Sequence, residues 1–275
     1  MFDYSQVRAR FNRAHRSYDQ YAVVQQEAGR RLSERFDLLK LEPKRILDLG
    51  AGTGQMTRAL QARYPKATVI ALDLAEEMLG TVPKAGRWIK RRRVVCADMH
   101  RLPFAGASFD IVISNFAIQW SHDLGLLLAE VARVLTPGGV LSFTTLGPDS
   151  LQECRRAWAM VDSGRHIHGF LDMHDVGDAL VGACLSDPVL DQERLTVHYP
   201  DARSLLQELR GVGVGNTLFD RAAGLTGRQK WQAFLGALEG QREPAGVPLT
   251  YEVVYGLAWG AGISPIAAEL ATKPW

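Results

Sequence analysis

The chain reads as an α/β fold built on a parallel sheet, and three observations predict it. Strand-like and helix-like segments alternate from Arg45 to Leu146. The strand-like ones are short continuous apolar runs, and the first of them ends in a glycine-rich loop ahead of a helix. Such alternation marks successive βαβ units, whose strands are covered on both faces and so lose the in/out pattern of a half-exposed sheet.

Taken in order, residues 1–44 form a helical N-terminal region. There Val7, Phe11, Ala14 and Tyr18 fall at i, i+4, i+7 and i+11 among Arg8, Arg10, Arg13 and Arg16, the pattern of an amphipathic helix that lies on another part of the molecule. The core, residues 45–146, holds five expected strands at Arg45–Asp48, Thr68–Asp73, Val94–Asp98, Asp110–Ser114 and Val140–Thr145. Gln55–Tyr64 and Leu124–Leu135 carry helical spacing between them, and Thr136-Pro137-Gly138-Gly139 stops the second. In residues 147–260 the reading is a helix at Leu151–Val161, a polar loop at His166–Asp175, a strand at Pro188–Tyr199, helices at Ala202–Arg210 and Arg228–Gln241, and a last strand at Leu249–Trp259. Residues 261–275 form a tail expected to fray, and all 275 residues are read as one domain.

Composition excludes several classes. With 47% hydrophobic and 23% charged residues the chain is neither disordered nor fibrous, and a net charge of +2 leaves no global footprint for nucleic acid. Cys96, Cys154 and Cys184 are too few and too widely spaced for a disulfide framework or a zinc knuckle, so a reducing compartment is expected. Glu252 and several glycines break the most apolar stretch, Val247–Ile263, so no membrane span is expected. The N-terminus lacks the apolar core of a secretory leader, and Asp3 and Asp19 argue against a transit peptide; the expected location is cytoplasmic.

The informative motif is Asp48-Leu49-Gly50-Ala51-Gly52-Thr53-Gly54, placed between a strand and a helix. Absent side chains let backbone approach a ligand there. The third glycine comes one residue too early for a dinucleotide fingerprint, and Asp48 would repel a pyrophosphate but suits an ammonium or sulfonium charge. S-adenosylmethionine is such a ligand. Asp73, 19 residues after Gly54, ends the second strand where a carboxylate can accept from a ribose diol; Asp98 with Met99 ends the third and suits an adenine ring.

In order and interval, DLGAGTG, ALDLAEEML, ADMHRLPF, SFDIVISN and LTPGG resemble the class I S-adenosylmethionine-dependent methyltransferases across residues 45–146. The resemblance implies a Rossmann-like seven-stranded sheet whose last two strands form the antiparallel end, with N-terminal helices and a helical substrate-side insert. It implies a cofactor site of Asp48, Gly50, Gly52, Gly54, Asp73, Leu74, Asp98, Met99 and Asn115. Beyond the core, RFNRA with Tyr18-Asp19 and Gln25, NFAIQW at 115–120, FTTLGPD at 143–149, LRGVG at 209–213 with Asn216, and PLTY at 248–251 resemble the malonyl-acyl-carrier-protein O-methyltransferases of biotin synthesis. Two departures stand out: Ala183-Cys184-Leu185 where that family more usually has a small-Gly-Phe turn, and Val214 for a common Ala.

The implied reaction is attack of a malonyl thioester's free carboxylate on the sulfonium methyl. A carboxylate of pKa ~4 is ionised at neutral pH, so no catalytic base is expected. Tyr18, Gln119, Trp120 and Arg210 are the substrate-positioning candidates, Arg210 first for holding the malonyl group, with Gln25 a weaker one. The expected partner is malonyl-loaded acyl carrier protein, or malonyl-coenzyme A, with neither nucleic acid nor membrane. The basic run Lys84–Arg93 and Arg8, Arg13 and Arg16 compete to steer an acidic carrier. His166, His168 and His174 are read as part of a substrate-side lid rather than a metal site. Two rivals remain: a small-molecule carboxylate or quinone methyltransferase, and a respiratory complex I assembly factor of methyltransferase fold that works on a protein partner.

Overall fold

The computed structural model describes residues 3–82, 93–164, 166–214 and 227–261. Seven strands, β1 (Arg45–Leu49), β2 (Thr68–Asp73), β3 (Val94–Cys96), β4 (Phe109–Asn115), β5 (Leu135–Leu146), β6 (Ser186–Tyr199) and β7 (Val247–Trp259), form one sheet in the order β3-β2-β1-β4-β5-β7-β6. Neighbours from β3 to β5 pair in parallel, and β7 runs antiparallel to both β5 and β6. The antiparallel end is therefore present, with the reversal carried by β7 alone.

Ten helices surround it: α1 (Tyr4–Ala14), α2 (Tyr18–Tyr21), α3 (Val23–Arg35), α4 (Gln55–Arg63), α5 (Glu76–Leu79), α6 (Leu124–Val134), α7 (Gln152–Ala159), α8 (Met173–Gly182), α9 (Ala202–Gly211) and α10 (Arg228–Glu239) among the described residues. Alternate strand residues face opposite layers. Ile46, Ile111 and Ile113 pack with Leu32, Leu60 and Leu205, whereas Leu47 and Val112 pack with Leu127, Val131 and Leu180. Both faces are thereby buried, which is why the strands read as unbroken apolar runs. Phe11, Ala14 and Tyr18 pack on Ala75 and Met78, so the N-terminal amphipathic face lies on the segment after β2.

Several boundaries differ from the sequence reading. β3 ends at Cys96, so Asp98 and Met99 lie beyond the strand rather than at its end. The expected polar loop at 166–175 gives way to α8 at Met173, because Asp172 caps it by accepting from the His174 N–H at 2.8 Å, and Val176 and Leu180 bury the i, i+4 face. Thr136–Gly139 is absorbed as an irregularity at the start of β5, with pairing passing from Phe109↔Leu135 to Ile111↔Val140. β6 starts before Pro188, which a register shift between Ser186 and Val189 at the sheet edge accommodates. Of the segments named above, Lys84–Arg92, Asn216 and residues 262–275 lie outside the described residues.

Candidate functional site

The order of strands reverses at β1, whose neighbours β2 and β4 lead off in opposite directions, and a ligand crevice belongs at the carboxyl ends there. A crevice lies at that point. Its floor is backbone: Gly50 and Gly52 take φ of 73° and 53°, and their N–H groups are tied to β2, Gly50 to the Leu72 carbonyl at 2.8 Å and Gly52 to Asp73 Oδ2 at 2.8 Å. A Cβ on Gly50 would meet Ala117 Cβ at 2.1 Å, whereas one on Gly52 would meet no protein atom within 4 Å. Gly50 is thus required by the protein's own packing, and Gly52 keeps open space that a ligand can use.

Leu74, Ala97, Met99 and Asn115 line the cavity with Asp73, its one charged side chain among the described residues. An apolar slot with a single carboxylate fits adenosine bearing a cationic sulfonium, and it offers nothing to a pyrophosphate. Burial pushes the Asp73 carboxyl above the usual range, opposed by N–H groups of Ala75, Gly52 and Leu74. Three expected residues stand back from this surface. Asp48 is buried behind the glycine loop, where Thr57 Oγ1 donates to it; burial, with the charge of Asp73 added, lifts its carboxyl to about 7. Its influence on a ligand is through its charge. Gly54, with φ of 82°, precedes α4 and turns the chain into it. Asp98 is half-exposed; His100 donates to it from the backbone N–H at 2.9 Å and pairs through Nδ1 at 2.7 Å, while His100 Nε2 lies 2.7 Å from Ser121 Oγ.

Beside this crevice lies a second, narrow chamber, and Phe11, Tyr18, Phe116 and Trp120 line both. Gln25, Gln119, His168, Phe170 and Tyr251 complete much of the chamber, and none of its described lining residues is an acid, a lysine or an arginine. Gln119 donates through Nε2 to the Phe116 carbonyl at 2.8 Å, leaving its buried Oε1 without a hydrogen bond. Asn115 fixes the boundary: its Nδ2 donates to the Gln25 carbonyl at 2.9 Å and its Oδ1 accepts from Thr144 Oγ1 at 2.7 Å. Tyr18 and Trp120 therefore stand at the junction of the two spaces, and Gln119 lines only the chamber. Arg210 does neither: it is exposed at the end of α9, in an outer groove with Arg10 and Arg13, so holding the malonyl carboxylate inside the chamber does not suit it.

Tyr4 had no sequence signal as a site residue, and His168 was expected only as part of a substrate-side lid. Tyr4 donates to the Trp120 carbonyl at 2.7 Å and lines the cofactor-side cavity, clamping α1 over it. His168 faces the chamber; burial, with Arg155 adding to it, lowers its pKa to about 4, so it is neutral at pH 7. Its two neighbours are placed elsewhere: His166 stacks on Trp158 and pairs with Asp162, and His174 pairs with Asp172 at the start of α8.

The sheet order, the antiparallel β7 and the glycine loop at the switch point define a class I methyltransferase fold. A family model described as a methyltransferase domain matches residues 47–143. The YcgJ protein of Bacillus subtilis shares the fold at 17% identity with a TM-score of 0.58, covering 84% of this chain and 97% of that one. Phosphoethanolamine N-methyltransferase 2 of Haemonchus contortus, solved with S-adenosylmethionine, does so at 17% identity and a TM-score of 0.53, covering 91% and 57%. The malonyl-[acyl-carrier protein] O-methyltransferase of Halorhodospira halophila is 44% identical over 96% of this chain and 90% of its own length. That of Gallionella capsiferriformans is 44% identical over 94% and 91%. The chain belongs to the malonyl-[acyl-carrier protein] O-methyltransferase family.

Proposed function

We propose that this protein methylates the free carboxylate of a malonyl thioester on acyl carrier protein, with S-adenosylmethionine as donor, giving the malonyl methyl ester that opens biotin synthesis. The observation that carries this reading is the wall shared by the two spaces, which brings a chamber with no charged side chain among its described lining residues to the edge of a slot suited to a sulfonium. Gly50, Gly52, Asp73, Leu74, Met99 and Asn115 would hold the cofactor, which when bound supplies an electrophilic methyl.

An ionised carboxylate needs no base, so the task of the chamber is to orient it, strip its water and leave its negative charge intact. An arginine beside the attacking oxygen would weaken it; neutral donors orient it without that cost. Tyr18 fits: burial, with Asp73 and Asp19 nearby, raises its pKa, so the phenol keeps its proton throughout the working range. His168, neutral, is a second polar group in reach of the chamber, and Trp120 and Phe116 exclude solvent. The reaction joins a carboxylate to a cation, so the cofactor's own charge offsets the burial of the substrate's.

The three thiols are free, in keeping with a reducing compartment, and a cytoplasmic reaction is part of the proposal. Among the described residues no helix is long and apolar enough to cross a membrane. The test is mass spectrometry of malonyl-loaded carrier protein after incubation with the purified protein and S-adenosylmethionine. One added methyl on the carrier-bound malonyl group is expected. No gain there, with cofactor binding intact, overturns the reading in favour of action on a protein partner.

A further inference from the structure

The segments that wall the chamber present a second, opposite face. From α1, Phe11 faces the chamber while Arg10, Arg13 and Ala14 face an outer groove. From the end of α9, Leu209 and Val212 face the chamber while Arg210 and Gly213 face the groove, and Val214 borders both. The end of α9 is pressed against α2 and α1 by missing side chains. A Cβ on Gly211 would strike the Tyr21 ring at 2.1 Å, and Gly213, with φ of 76°, lies against Phe11. Ser17 Oγ donates across the seam to the Gly211 carbonyl at 3.3 Å, and Arg210 is steadied over the Trp231 ring at 5.6 Å. Arg10, Arg13 and Arg210 thus line one groove outside a chamber whose described lining carries no charged side chain.

We propose that this groove is a phosphate subsite, in which Arg13 and Arg210, with Arg10, take the phosphate that joins a pantetheine arm to its carrier. The proposal rests on the malonyl-thioester reading above. A pantetheine thioester is uncharged along its arm and anionic where the arm meets its phosphate, the same order of polarity as chamber and groove. Guanidinium forks suit a phosphate geometrically as well as by charge. The same chemistry occurs in coenzyme A, so the groove serves either carrier of the arm.

The experiment compares methyl transfer to malonyl-pantetheine, malonyl-4′-phosphopantetheine, malonyl-coenzyme A and malonyl-loaded carrier protein by the wild type and by the double variant Arg13→Gln, Arg210→Gln. The wild type should show a KM lower by about tenfold or more for the phosphorylated fragment than for the phosphate-free one. In the double variant that preference should collapse, with kcat for the phosphorylated fragment holding. Equal loss for coenzyme A and carrier substrates assigns the groove to the phosphate they share. A loss confined to carrier protein, with the fragment preference surviving, overturns the proposal and makes the arginines readers of a protein surface. A wild type that methylates none of the four instead defeats the malonyl-thioester reading. The groove is then judged by calorimetry of 4′-phosphopantetheine against pantetheine, where equal binding overturns it. Arg13→Lys, Arg210→Lys, keeping charge but losing the fork, should fall between the two.

Discussion

The cofactor-side cavity and the substrate chamber share four side chains, yet they are built of different material. The cavity is made by backbone at the ends of β1 and β2, where Gly50 and Gly52 hold positive φ and Asp73 ties the loop to the next strand. The chamber is made by side chains that arrive from α1, α2, the turn after β4, the segment before α8, α9 and β7. A backbone-built site tolerates almost no substitution at its glycines, and a side-chain-built one can be retuned residue by residue. Conserving one ligand while changing the other is what such a division permits.

The largest effects should come from the two glycines, and they should differ in kind. Gly50→Ala places a methyl against Ala117 in a left-handed conformation, costing about 3 kcal/mol or more, and should lose both thermal stability and cofactor affinity. Gly52→Ala meets only open space, so its stability loss should be confined to about 1–2 kcal/mol of backbone strain. Its cofactor affinity should nonetheless fall roughly a hundredfold, or ~2.7 kcal/mol. Melting curves beside calorimetric titration separate the two; a Gly52→Ala protein that binds normally would show that the loop is not where the ligand lies.

Tyr18 sits on the shared wall and tests whether the two sites are separable. Tyr18→Phe keeps the ring that packs on Ala75 and Met78 and removes only the hydroxyl. A drop in kcat of about tenfold, near 1.4 kcal/mol, is expected with cofactor affinity within about threefold. Parallel losses in both would make Tyr18 a cofactor residue alone.

A smaller effect follows from Asp48. Burial holds its carboxyl at about 7, against a usual value of 3.8, so in the free protein its favourable contribution to stability is complete below the ordinary carboxylate range and is lost as pH rises through 7. A cationic ligand favours the ionised form. Its binding should therefore release a proton and tighten several-fold between about pH 6 and 8. Titration calorimetry in buffers of different ionisation heat measures that release, and Asp48→Asn should abolish it. A pH-independent affinity would remove Asp48 from the electrostatics of the site.

This division also explains what was legible in the sequence. Five strands, the glycine loop and Asp73 could be placed because backbone chemistry at a strand end demands fixed residues at fixed spacing. Tyr4 could not, since its role arises from a contact with Trp120 across 116 residues that no local pattern records. Arg210 was visible through its LRxxG context, but which side of α9's end it would face depends on how α9 meets α2 and α1, a matter of packing at Gly211 and Gly213. The helix α8 was signalled by Asp172, Val176 and Leu180, and the density of polar residues around His166–Asp175 outweighed that signal.

The departure from the family at Ala183-Cys184-Leu185 has a backbone explanation. The Leu185 N–H donates to the Leu180 carbonyl at 3.1 Å and the Cys184 N–H to the Val181 carbonyl at 2.9 Å, the pair of bonds that closes a Schellman motif at the end of α8. Such a motif requires a left-handed residue after the cap, and Cys184 takes it with φ of 59° where the family more usually has glycine. Leu185 and Leu180 meet in the same buried cluster, so the turn is held shut despite the strained residue. Cys184→Gly should relieve that strain and stabilise the protein by about 1 kcal/mol, raising Tm by a few degrees. Cys184→Ala, which keeps the Cβ, should change little. A Cys184→Gly protein that melts lower would mean that chain entropy gained in the unfolded state outweighs the dihedral strain, and the departure would then be a stabilising adaptation. Neither variant should alter cofactor affinity, because this turn touches neither wall of the paired sites.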